Sequence, residues 1–297
     1  MTKRYLNQVN PSFKYSLKTR LKQRLLQGII QDSISEPYLS QAFFRSLADA
    51  VITCKKDLEE VNKKSLPDCQ ILYIRSDFLE EYLTNFSSCI SPSKIISGSS
   101  DTKIQFPVID YLPDTVKSVY IQNSFVSDGK RIFTLPIGIE DLSLALNGLP
   151  VLLSGVRATK RNSILVGPFS PNNSERIELL KMFNNSSLVH VVSERMDPSS
   201  YAKLAKRFKF IACPAGNGID THRVWETLYR GSFPIVKKSA WSQSLKEMGI
   251  PIVEVNSWEY LESIIESFIC VEPPDPTNLE MIWSHHWENT LLEDFSR

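Results

Sequence analysis

The sequence predicts an α/β protein built from two domains in succession, each with its own parallel sheet. Three observations carry this. Short, continuous apolar runs recur between helical stripes, which is how strands buried on both faces read. The runs at 71–74 (ILYI), 94–97 (KIIS), 116–122 (VKSVYIQ) and 131–135 (RIFTL) alternate with helical segments, as βαβ units require. A loop-like break at 141–161, with Gly, Pro and exposed charge, then precedes a second series of the same kind. The domain boundaries expected are therefore 1–150 and 151–297.

The elements follow in order. Leu17, Leu21, Leu25 and Ile29 repeat every four residues among Lys14, Lys18, Arg20, Lys22 and Arg24. This basic amphipathic helix either docks on the domain or makes a peripheral contact with an anionic membrane. Phe43, Phe44, Leu47, Val51 and Leu58 give a helical stripe over 40–62. After the first strand comes the helix FLEEYLTNF; later come SILV (163–166), a helix with Ser174 as its expected N-cap, LVHVV (188–192) and a helix over 198–207. The closing segment from Met281 reads as a terminal helix, which in an architecture of two such domains often crosses back to the first.

Composition excludes several classes. The chain has 297 residues, enough for a large core without staples. Net charge is +1, so no whole-molecule field points to nucleic acid. Five widely spaced cysteines without a CxxC pair form neither a disulfide framework nor a zinc pattern. The opening residues lack the apolar core of a secretory signal and no run of apolar residues is long enough to span a bilayer, so the expected compartment is the cytoplasm. His285-His286 has no matching third ligand, and the five tryptophans read as core residues.

Polar residues stand just past strand ends: Asp77, Asp101, Asn123 and Glu140. Ligands of parallel sheets collect on that rim. The most informative stretch is 208–236, FKFIACPAGNGIDTHRVWETLYRGSFPIV: strand, glycine loop, helix, strand. A helix N-terminus carries about half a positive charge and free N–H groups, and glycines let backbone approach phosphate oxygens. Gly216, Asn217 and Gly218 form the loop, Asp220 or Thr221 caps the helix, and Gly231 ends it in the left-handed conformation. Arg223 sits in the first turn, where the dipole disfavours a cation unless an anion lies in front of it. Glu226, one turn on, suits a ribose diol, or else makes a surface ion pair with Arg223. His222 stands at i−4 from Glu226 and is placed to touch the phosphate or be oriented by the carboxylate. No GxGxxG or Walker A pattern is present.

The string Pro214-Ala215-Gly216-Asn217-Gly218-Ile219-Asp220-Thr221-His222-Arg223-Val224-Trp225-Glu226, followed by Leu228-Tyr229, Gly231 and Pro234-Ile235-Val236, resembles the signature of exostosin-like glycosyltransferases, short bacterial and viral members above all. That resemblance implies GT-B architecture, with two Rossmann-like domains facing across a cleft. It implies a nucleotide-sugar donor on the second domain, UDP first and GDP next, held by the loop, Arg223 and Glu226, with Asp220, Thr221 and His222 beside them. It also implies an oligosaccharide, glycoprotein or lipid-linked glycan acceptor on the first domain. The arginine often found after the motif's proline is Ala215 here, and Arg176, Lys160 and Ser170 are the expected substitutes and neighbours. No DxD motif stands out, and such enzymes commonly act without a metal or other cofactor. An inverting transfer needs a base; Asp101 is the preferred candidate and Asp77 the second, with Asn123 and Glu140 on the acceptor side. A non-catalytic nucleotide-sugar or carbohydrate binder of the same fold, and an epimerase or phosphorylase, are the rival readings.

Overall fold

The computed structural model describes residues 37–61, 69–89, 92–141, 148–154, 161–183, 185–268 and 270–292. The basic segment at 14–29 and Lys160 lie outside the described residues. Among the described residues, two five-stranded sheets organise the chain, and every strand pair is parallel. The layout is compatible with two Rossmann-like domains.

The first sheet comprises β1 (Ala50–Ile52), β2 (Ile71–Arg75), β3 (Lys94–Gly98), β4 (Ser118–Ile121) and β5 (Ile132–Thr134), in the spatial order β1-β2-β3-β4-β5. Parallel crossovers are right-handed, so strands laid down in one direction carry their connections on one face. The connecting helices are α2 (Lys55–Val61), α3 (Leu79–Asn85) and α4 (Val108–Tyr111), and α5 (Pro150–Leu153) follows the sheet. Their Leu58, Leu79, Leu83 and Val108 pack on Leu72, Ile74, Ile95, Val119 and Ile121. Side chains alternate along a strand, so Ile71, Tyr73, Ile96 and Tyr120 face the other way. That face is closed by Phe43 and Phe44 of α1 (Gln41–Ser46) and by Trp287 and Leu291 of α11 (Ser284–Leu292). Lys94, fully buried, donates through Nζ to the carbonyls of Thr290 (3.1 Å) and Leu291 (2.8 Å) at the end of α11. A cation there complements the negative end of the helix dipole.

The single helix expected over 40–62 is instead α1, β1 and α2. The short run Ala50-Val51-Ile52, with two β-branched residues, pairs with β2, and Val51 leaves the apolar stripe for solvent. Asp49 pins the entry by accepting from the backbone N–H of Gln70 and Ile71, each at 2.8 Å.

The second sheet comprises β6 (Arg161–Val166), β7 (Val189–Val191), β8 (Phe208–Ala212), β9 (Phe233–Lys237) and β10 (Val253–Val255), in the order β10-β9-β8-β6-β7. The chain starts at β6, steps out to β7, then reverses and builds outward from β8. Helices therefore cover both faces. α7 (Pro198–Ala205), α8 (His222–Tyr229) and α9 (Ala240–Glu247) bring Tyr201, Trp225, Leu228, Trp241 and Leu245 onto Leu165 and Ile211. α6 (Ser174–Met182) and α10 (Ser263–Phe268) bring Leu179, Ile264 and Ile265 onto Val166, Phe210 and Ile235. α6 is capped by Asn173 rather than Ser174: the Asn173 side chain accepts from Arg176 N, which fixes that arginine in the first turn. Trp225, Trp241, Trp258 and Trp287 are all buried, and the five cysteines are free.

Candidate functional site

A parallel sheet whose winding reverses opens a crevice beyond the carboxyl ends of the two strands flanking the reversal. Here those strands are β6 and β8. Their outgoing loops are Gly167-Pro168-Phe169-Ser170 and Cys213-Pro214-Ala215-Gly216, and two arginines converge on them. Arg223, in the first turn of α8, donates to the carbonyls of Gly167 (3.2 Å) and Pro168 (2.7 Å). Arg176, in the first turn of α6, donates through Nε to Ala215 O (2.9 Å) and through its terminal nitrogens to the carbonyls of Ser170 and Pro214. The Phe169 ring lies beside both guanidiniums, at 5.4 Å from Arg176 and 5.8 Å from Arg223, and Arg223 also stacks on Tyr201 at 4.6 Å. Neither guanidinium has a carboxylate within ion-pair distance among the described residues. Burial, with Arg223's charge adding to it, holds the Arg176 pKa below the usual arginine value. Two guanidinium cations are thus held near one another by neutral carbonyls.

The glycine loop is shaped by its neighbours. A Cβ on Gly216 would stand 2.9 Å from Arg176, so the glycine leaves room for that side chain beside the Ala215 position. Asn173 Nδ2 donates to the carbonyls of Ala215 and Gly216, both at 3.1 Å. Asn217 accepts from Asn172 and donates across to Asp101 Oδ2 at 3.2 Å, the contact that brings the preferred base candidate to the donor loop.

Asp220 does not cap α8. It is buried, and its two oxygens accept from Ile137 N of the first domain and from Trp225 Nε1, each at 2.8 Å. Burial pushes its carboxyl up to about 7, against the downward pull of those N–H groups. Thr221 occupies the N-cap position without a side-chain capping bond, and its Oγ1 is buried with no partner. Asn123, fully buried at a positive φ of 54°, joins the same seam: it donates to Ser100 O and accepts from Asp220 N, both at 2.9 Å. A Cβ on Gly218 would fall 2.7 Å from its amide. Asn123 thus knits the domains together where the sequence placed it at an acceptor. Gly231 adopts the expected left-handed conformation, φ 62°.

Three further residues stand differently from their expected surroundings. Glu226 is buried and pairs with Arg230 (3.1 Å), itself stacked on Tyr201, so a ribose contact there competes with an internal ion pair. His222 is oriented by the first domain, not by Glu226: its Nδ1 lies 2.9 Å from Gly138 O. Asp77 accepts from Ser100 (2.7 Å) and Thr102 (2.6 Å) and pairs with Arg75 (2.5 Å). Burial raises its pKa, but those two hydroxyls and the Arg75 charge outweigh it and hold the carboxyl below the ordinary range. Glu140 follows the bridge that joins Ile139 to Ser40.

Sequence reasoning missed Tyr201, Phe169 and Arg230. The i, i+4 spacing of Glu226 and Arg230 was the available signal for the last. No described helix is long and apolar enough to cross a membrane. Comparison of the chain with protein-family models gave no match, and comparison with curated proteins gave none either.

Proposed function

We propose that the protein is a glycosyltransferase of the two-domain GT-B kind, moving a sugar from a nucleoside-diphosphate sugar to a hydroxyl of a glycan acceptor. The observation that carries this reading is the pair Arg176 and Arg223 at the β6/β8 reversal, without carboxylate partners among the described residues. A diphosphate is the ligand chemistry that two adjacent guanidiniums, a glycine loop and a helix N-terminus suit together. In transfer, negative charge grows on the departing diphosphate, and preorganised cations lower the barrier by stabilising it there. The acceptor lies on the first domain, whose Asp101 meets the donor loop through Asn217.

The test is a thermal-shift and calorimetry screen with UDP, GDP, ADP and CMP. A dominant response to UDP or GDP is expected. Loss of one charge-assisted contact is worth about 1.5–3 kcal/mol, so Arg223→Ala or Arg176→Ala weakens nucleotide binding about 10- to 100-fold. No response to any nucleotide, or unchanged affinity in both variants, sinks the assignment. Binding without release of nucleoside diphosphate, with any acceptor or water, favours the non-catalytic reading.

A further inference from the structure

His222 is the first residue of α8 and lies on the seam between the domains. Its Nδ1 faces the carbonyl of Gly138 at 2.9 Å. A carbonyl oxygen only accepts, so Nδ1 carries the proton and the neutral ring keeps its lone pair on Nε2. That carbonyl is itself held in place. Gly138 sits at φ 70°, a Cβ there would meet Leu39 O at 2.2 Å, and the next residue, Ile139, donates to Leu39 O at 2.7 Å. The tautomer is therefore set by backbone that no ligand need displace. Among the described residues Nε2 makes no hydrogen bond, and it is not among the buried atoms without a partner, so on this half-buried residue it keeps some exposure to solvent. A lone pair cannot donate to a phosphate; it suits a hydroxyl.

The two aspartates of the rim already hold partners. Asp77 holds Ser100, Thr102 and Arg75, and Asp101 accepts from Asn217. We propose that His222, rather than either aspartate, is the general base that takes the proton of the acceptor hydroxyl. This rests on the transferase reading above. The hydroxyl O–H bond breaks and its proton passes to Nε2. The hydroxyl oxygen bonds to the anomeric carbon of the donor sugar. The bond from that carbon to the diphosphate oxygen breaks, and its electron pair leaves with the nucleoside diphosphate. The imidazolium so formed is the neighbour in sequence of Arg223, where the departing anion offsets its charge, and the proton returns to water when products leave.

The experiment measures nucleoside diphosphate released from UDP-glucose and GDP-mannose with water as acceptor, in wild type, His222→Asn, His222→Ala and Asp101→Asn. Asparagine keeps an N–H for Gly138 O but has no lone pair in the place of Nε2, so it separates the base from the seam contact. A general base contributes about 10²–10⁴-fold. Turnover is expected to fall by that order in both His222 variants while UDP or GDP affinity is retained, and added imidazole is expected to restore part of it in His222→Ala. Wild-type release with His222→Asn left at near wild-type turnover, no rescue by imidazole, or a larger loss in Asp101→Asn, overturns the assignment. Nucleotide binding by the wild type with no release from either donor overturns the transfer reading and the base with it.

Discussion

The two sheets are made of the same units and differ in the order of laying them down. The second reverses between β6 and β8, and its helices cover both faces. The first runs in one direction, and its second face is closed by α1 and α11, elements from outside the strand series. The difference separates two tasks. A reversal leaves loops diverging around a crevice, and Arg176 and Arg223 gather there. Loops after strands wound one way lie side by side and bond to one another, as Ser100, Thr102 and Asp77 do, or reach across to the other domain, as Asn123 and Ile137 do. The first domain's loops bond across the seam; the second domain's loops gather the two arginines.

The sharpest test of that contrast is Trp287→Ala. The side chain is buried against Phe44 and Tyr120, and truncating a buried tryptophan costs about 3–5 kcal/mol. Hydrogen exchange is expected to lose protection first in β2, β3 and β4. Earlier loss in β8 and β9 would break the comparison. A smaller effect follows from Gly218→Ala. The added Cβ meets the buried Asn123 amide, and overpacking of this kind costs about 1–3 kcal/mol. A lower urea midpoint with faster proteolysis at the seam is expected; an unchanged midpoint would show that the domains close with room to spare.

A third effect is in pH. Asp220's folded pKa, about 7, stands above its ordinary value of 3.8, so the protonated form is favoured in the folded state. Its contribution is full below about 4, declines as pH rises, and is gone above about 7. Wild type minus Asp220→Asn melting temperatures should therefore fall across that window. A flat difference would place the seam's pH response elsewhere.

Much of the second domain was legible because glycines, a charged first turn and buried strands each leave a local mark. The strands at 71–74, 94–97 and 208–212 read directly, since strands buried on both faces are continuous apolar runs. β1 was hidden because three residues show no period, and its pairing with β2 overrode the helical stripe around it. The seam was the least legible part. Ile137 and Gly138 act through backbone N–H and C=O, which every residue carries, so nothing in the side-chain sequence announces Asp220's or His222's partner. Asn123 and Asp220 were singled out as ligand residues because a buried polar bolt and a binding residue look alike until their neighbours are known.

Lys94 sets an order of events during synthesis. Its ammonium group is fully buried, and the Thr290 carbonyl it meets lies 196 residues further along the chain. Ribosomes add about 5–20 residues per second, so Lys94 waits on the order of ten to forty seconds for that partner. The first domain is made first, and Lys94 reaches the Thr290 and Leu291 carbonyls only once α11 has emerged.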